Sequence, residues 1–223
     1  MNQLSLNVLA VTIFGMTLSI LLGPLLHISP SVSVIGILAV VSLSTVDAYA
    51  WNSKGSTIFL DGIARFSKEH RDRVLRHEAG HFLVAHQLGF PVTDYSLSAW
   101  ESFRKGNGGQ GGVQFDATDL ETEMQQGKLS DQMLDRLCMV WMAGIAAEQV
   151  AYGTNEGGQD DRFTMQQALG QMKLAPNQIE NKQRWATQQA KALIEANQTA
   201  YESLVQALEQ RASVTDCIAA IGA

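Results

Sequence analysis

Apolar residues follow two regimes along this chain. Residues 6–46 contain no Asp, Glu, Lys or Arg and read as two apolar runs, 4–26 and 31–50, separated by a turn carrying Pro24 and Pro30. Each run is about the 20 residues that a bilayer-spanning helix needs, so the pattern predicts a two-pass transmembrane hairpin over residues 1–50. A signal peptide is the rival reading, but Met1–Ser5 has no Lys or Arg and a second apolar run follows at once. Lys54, Arg65, Lys68, Arg71, Arg73 and Arg76 follow the second run, and the turn between the runs has no basic residue. The positive-inside bias then places the C-terminal part on the cytoplasmic side of an integral membrane protein. Asp47, near the end of the second run, is expected at the interface.

After a linker at 51–70 the pattern changes to mixed polar and apolar. Residues 67–88 read as a helix, opened by Ser67 and stopped by Gly89-Phe90-Pro91. VTDYSLSAW alternates like a strand, RKGNGGQGG is a loop tip, and GVQFDA suits the returning strand. The glycine run lacks the Lys-Ser or Lys-Thr of a phosphate loop. From Ser130 a long amphipathic helix begins, with Leu134, Leu137, Trp141, Ile145 and Val150 as its apolar face. A shorter helix follows GTNEGG. KQRWATQQAKALIEANQTAYESLVQALEQR reads as one long final helix, with Trp185, Leu193, Tyr201, Leu204 and Leu208 as its buried stripe. The expected fold is therefore mainly α with a small β-hairpin, in a domain covering residues 71–223.

Composition adds exclusions. A net charge of −6 argues against nucleic acid as a partner. Cys138 and Cys217 have no CxxC spacing and read as buried thiols in a reducing compartment.

The chemistry-bearing segment is RVLRHEAGHFLVAHQLG, residues 73–89. His77 and His81, four apart on a helix, lie about 40° apart around its axis and can aim two imidazoles at one metal ion. Glu78 projects about 100° from His77, placed to take a proton from water at that metal. Such H-E-x-x-H helices hold catalytic Zn2+ with a third protein ligand. His86 falls on nearly the opposite face and is not expected to be a ligand. No histidine lies downstream of it, so Glu148, Asp160 and Asp161 are the carboxylates to consider for the third position.

HEAGH, then a hairpin, then AGIAAEQVAYG, then EGGQDDRFTMQQAL, resembles the peptidase domain of FtsH-type membrane zinc metalloproteases from about Arg71 to the last long helix. The resemblance implies Asp161 as the third metal ligand, with Asp160 as the alternative, and Glu148 as a carboxylate holding a ligand histidine. It implies a metalloendopeptidase that hydrolyses peptide bonds in flexible or unfolded segments, in a bacterial cytoplasmic or photosynthetic membrane. The strand residues Tyr95, Ser96, Leu97 and Ser98 are expected to hold a peptide substrate by strand addition. The chain departs from that family in two ways. No GxxxxGK[ST] occurs, so neither nucleotide nor an ATP-driven motor is expected, and Gly144-Ile145 stands where the family has Gly-Arg. The competing function is a scaffold or assembly partner in a membrane complex, and homo-oligomerisation stays open.

Overall fold

In the computed structural model, the described residues are 3–50 apart from 24, 26 and 28, then 67–106, 112–116 and 130–222, with positions 55, 58, 59, 62, 63, 118 and 123 between them. Most of the linker expected at 51–70, and positions 107–111 of the glycine-rich tip, lie outside them. The chain divides into two compact units, one of residues 1–67 and 98–110, the other of residues 68–97 and 111–223.

The first unit contains α1 (Gln3–Leu22) and α2 (Pro30–Ala50), which pack on one another, and a short helix α4 (Ala99–Arg104). Helices thus form over the two apolar runs, but no helix among the described residues is long and apolar enough to cross a membrane. This overturns the expected transmembrane hairpin, and with it the integral two-pass placement. Thr12, Thr17, Ser19, Ser31, Ser42 and Thr45 punctuate the two helices. The hydroxyls of Thr17 and Thr45 donate back to the carbonyls of Ile13 and Val41. Asp47, expected at an interface, is buried and accepts the Gly55 amide at 2.7 Å.

The second unit carries the chemistry. Its central pair is α3 (Lys68–Gln87) against α5 (Asp131–Tyr152). Gly89, at a φ of 82°, ends α3. The Phe90 amide donates to the Ala85 carbonyl and the Gly89 amide to the His86 carbonyl, satisfying carbonyls that a helix end would leave open. Ser130 caps α5 by accepting the Met133 amide, and Gly153 closes it in the left-handed conformation. The two helices meet on small residues. A Cβ added at Gly80 would lie 2.5 Å from the Ala147 Cβ and 2.7 Å from the Ala143 carbonyl oxygen, so only glycine allows this approach.

Around that contact Phe82, Leu83, Val84 and Ala85 pack with Val140, Ala146, Ile194, Tyr201, Leu204 and Leu208. Fully burying each of the larger side chains contributes about 1.5–3 kcal/mol. A second cluster on the adjacent face of α5 joins Cys138, Met142 and Ile145 to Met165 and Leu169 of α6 (Gln159–Gln171), and to Ile179 and Ala186 of α7 (Pro176–Ala196). The expected single final helix is two, α7 and α8 (Gln198–Glu209), and a further helix α9 (Val214–Ile221) follows beyond it. Asn197 makes the first break by leaving helical geometry (φ −118°, ψ 33°) and donating its side-chain amide to the Leu193 carbonyl. Trp185 is also outside the expected buried stripe; Lys182 sits over its exposed ring.

Strands β1 (Val92–Ser96) and β2 (Gly112–Phe115) form an antiparallel pair in which Tyr95 faces Val113 and Ser96 faces Gly112. Both strands contact α3. The fold is mainly helical with a two-stranded sheet, as the periodicity predicts, without the membrane spans.

Candidate metal centre

Three elements converge on one point: α3 brings His77, Glu78 and His81, α6 brings Asp161, and α5 supplies the wall behind them. His77 Nδ1 lies 2.8 Å from Glu148 Oε1, and His81 Nδ1 lies 2.8 Å from the Val140 carbonyl oxygen. Each Nδ1 therefore faces an acceptor that keeps its proton, which leaves both Nε2 atoms to bind a cation. Those atoms are 3.1 Å apart. Asp161 Oδ2 lies 3.0 Å from His77 Nε2 and 3.5 Å from His81 Nε2. Metal–ligand bonds of about 2.0–2.1 Å in tetrahedral array put neighbouring donor atoms roughly 3.3 Å apart, so the three atoms are spaced as one face of such a site. His77, His81 and Asp161 could together hold a metal ion.

Asp161 reaches this point through a close loop. The chain leaves α5 at Gly153 and opens α6 at Gly158, which has a φ of 82° and lies against the Ile145 side chain. Glu148 gathers the loop, accepting the Glu156 amide at 2.8 Å and the Gly157 amide at 3.2 Å while it holds His77. Asp160, in the same first turn of α6, is exposed and outside the group. Gly144 provides the clearance for His77. A Cβ there would stand 2.2 Å from His77 Nε2.

The electrostatics favour a cation. Burial works to lower the His77 pKa, but the hydrogen bonds to Asp161 and Glu148 outweigh it and push the group up to about 10. Burial likewise opposes protonation of His81, and the Asp161 charge raises it. Against the effect of burial, His81 and His77 hold the Asp161 carboxyl well below the usual carboxylate range. Burial works to raise the Glu148 pKa, but the hydrogen bonds from His77 and the loop amides lower it. Glu78 differs: burial lifts its pKa, against the charges of His81 and His77. Its Oε2 is buried with no hydrogen-bond partner among the described residues. An orphaned acceptor beside a set of metal-binding atoms suits a water molecule that must give up a proton.

The four residues expected to hold substrate lie at the end of β1 and just beyond it. Tyr95 is buried, its ring edge-on to Phe82 and its hydroxyl donating to the Ala212 carbonyl. Ser96 is buried in the pairing with Gly112. Leu97 and Ser98 lie beyond the strand, also buried, and Ser98 caps α4 by accepting the Glu101 amide. The strand nearer the chemistry is β2, where a Cβ added at Gly112 would stand 3.9 Å from Glu78 Oε2. Sequence reasoning also passed over the Val140 carbonyl, which no side-chain pattern can reveal, and Arg73. The latter carried a signal: it precedes His77 by one helical turn and shares its face.

No protein-family model matches the chain, and no curated protein matches it.

Proposed function

We propose that the protein is a zinc-dependent endopeptidase that cuts flexible or unfolded polypeptide without ATP. The observation that carries this reading is the buried Glu78 Oε2, without a hydrogen-bond partner among the described residues, next in sequence to one of three donor atoms spaced for a tetrahedral cation. Two imidazoles and one carboxylate are the donor set that a catalytic zinc accepts, with a fourth position left for water or substrate. The FtsH-like order of HEAGH, AGIAAEQ and EGGQDD along the chain supports the same assignment.

When bound, the metal supplies Lewis-acid polarisation of the scissile carbonyl and acidifies a water molecule. The chain's own residues do the rest. Glu78 Oε2 accepts the proton of the attacking water, and burial raises the pKa of its carboxyl, which strengthens it as a base. The same oxygen then returns the proton to the leaving amine. Glu148 and the Val140 carbonyl fix the two rings so that neither Nε2 must reorganise. An extended peptide aligned along β2 would pass beside Glu78, since the Gly112 position lies next to that carboxylate.

Purified protein incubated with casein, with and without chelator and without ATP, tests the reading. Chelator-sensitive cleavage, restored by Zn2+ and unchanged by ATP, is expected. Zinc binding without cleavage would instead favour a role in binding or assembly.

A further inference from the structure

Arg73 lies one turn before His77 on α3, with its side chain only 12% exposed. Its guanidinium reaches two elements at once. NH1 stands 3.5 Å from Glu148 Oε2 on α5, and NH2 stands 3.1 Å from Glu156 Oε1 in the loop that leads to Asp161. NH2 also lies 3.7 Å from Glu69 on its own helix. The Tyr152 ring, at the end of α5, lies under the guanidinium carbon at 4.4 Å.

Stability alone does not explain this residue. Glu69 and Glu156 are mostly exposed, and ion pairs to exposed carboxylates contribute little. Arg73 Nε and NH1 are buried without a hydrogen-bond partner among the described residues, which costs free energy. A well-packed apolar side chain often replaces a buried ion pair with no loss of stability. What an apolar side chain cannot do is bridge Glu148 and Glu156 with one rigid planar fork.

Those two carboxylates mark the supports of two different ligands. Glu148 Oε1 holds His77 Nδ1, and the Glu156 segment delivers Gly157, Gly158 and then Asp161. We propose that Arg73 is a positioning residue of the metal centre: by tying Glu148 to Glu156 it sets His77 and Asp161 at one mutual spacing, and so sets the affinity for the metal. The proposal rests on the metal-centre reading and adds to it a residue that touches neither metal nor substrate.

Arg73→Met removes the fork and the charge, and Arg73→Lys keeps the charge without the fork. The readouts are the Zn2+ dissociation constant from chelator competition, the melting temperature in chelator, and kcat and KM for a peptide at saturating zinc. Losing such a support weakens metal binding by about 10–100-fold. Arg73→Met should show a loss of that size, and Arg73→Lys a smaller one. In chelator Arg73→Lys should melt like the wild type, so that a failure of Arg73→Met to fold leaves the test intact. At saturating zinc kcat should fall while KM holds. Dissociation constants within about twofold of wild type in folded variants would overturn the proposal. So would a lowered melting temperature in chelator with unchanged zinc affinity, the mark of a merely structural residue. A wild-type protein that binds no zinc at all would sink the metal-centre reading instead, which the same titration distinguishes.

Discussion

Gly144→Ala is the sharpest test of the site's geometry, because it adds one methyl group at a place where its consequences can be worked out. The new Cβ would stand 2.2, 2.4 and 2.5 Å from Nε2, Cδ2 and Cε1 of His77. Carbon contacts settle near 3.5–4.0 Å, so the ring must retreat by roughly 1 Å. It has nowhere to go without loss, since Nδ1 is tied to Glu148 at 2.8 Å and Nε2 to Asp161 at 3.0 Å. A metal bond tolerates only about 0.2 Å of error in ligand position, so a ring displaced that far no longer binds. The fold should survive. Overpacking costs about 1–3 kcal/mol, and replacing a helical glycine by alanine returns about 1 kcal/mol. The expected result is a folded protein whose zinc affinity falls at least about a hundredfold, beyond the loss from an altered ligand support. Elemental analysis after dialysis and a melting curve in chelator would measure both. A variant that keeps stoichiometric zinc with wild-type affinity would refute the placement of His77 against α5.

The two neighbouring aspartates separate cleanly: Asp161→Ala should lose most bound zinc, whereas the exposed Asp160→Ala should keep it, as elemental analysis of both purified variants would show. Glu78→Gln should retain zinc and fold but lose about 10²–10⁴-fold in kcat, as expected when a positioned base is removed; wild-type turnover would reject Glu78 as the base. In the metal-free protein the His77 pKa is raised to about 10, so zinc must displace a proton at pH 7, and its affinity should climb toward tenfold per pH unit until about pH 10. For stability the sign follows from the same shift. His77, raised above its unfolded value of about 6.5, contributes fully below that pH and loses its contribution as pH rises toward 10; Asp161, depressed, contributes above about pH 4 and loses its contribution on acidification. Chelator-treated protein should therefore melt highest, on these two groups' account, between about pH 4 and 6.5. A melting temperature that rises steadily from pH 6.5 to 10 would contradict the pairing.

Much of the site could be read from the chain because helical spacing fixes it locally. His77, Glu78 and His81 need only 3.6 residues per turn to be placed relative to one another. Asp161 was reachable only through the resemblance, and it lies one turn before Met165, which with Leu169 is buried on the face that packs against α5. What lay across tertiary contacts was not legible. The Val140 carbonyl holds His81 through backbone, and Gly144 matters only because His77 comes to rest against it. Alternation revealed β1 but not what its side chains would meet, and Tyr95 turned out to be committed to Phe82 and Ala212. The split at Asn197 interrupts a stripe whose period continues on both sides, so pattern alone ran the helices together. In α1 and α2 the helices were legible from the two apolar runs, but the expectation that they span a membrane was not met among the described residues.

The same physical feature of α5 serves packing and chemistry. Its run Ala143-Gly144-Ile145-Ala146-Ala147-Glu148 has small side chains wherever it faces α3, which brings the two helices close enough for Gly80 to touch Ala143 and Ala147. That approach carries His77 onto Gly144 and within hydrogen-bonding reach of Glu148, and His81 within reach of the Val140 carbonyl. A larger residue on this face would push both rings away from their orienting acceptors and open the gap between α3 and Asp161. Ile145, turned about 100° from Gly144, instead packs with Met165 and Leu169 and sets where α6 begins. Alternating small and large residues on one helix thus position ligands from two others. The donor spacing near 3 Å is a consequence of core packing and not of flexible side chains finding a metal.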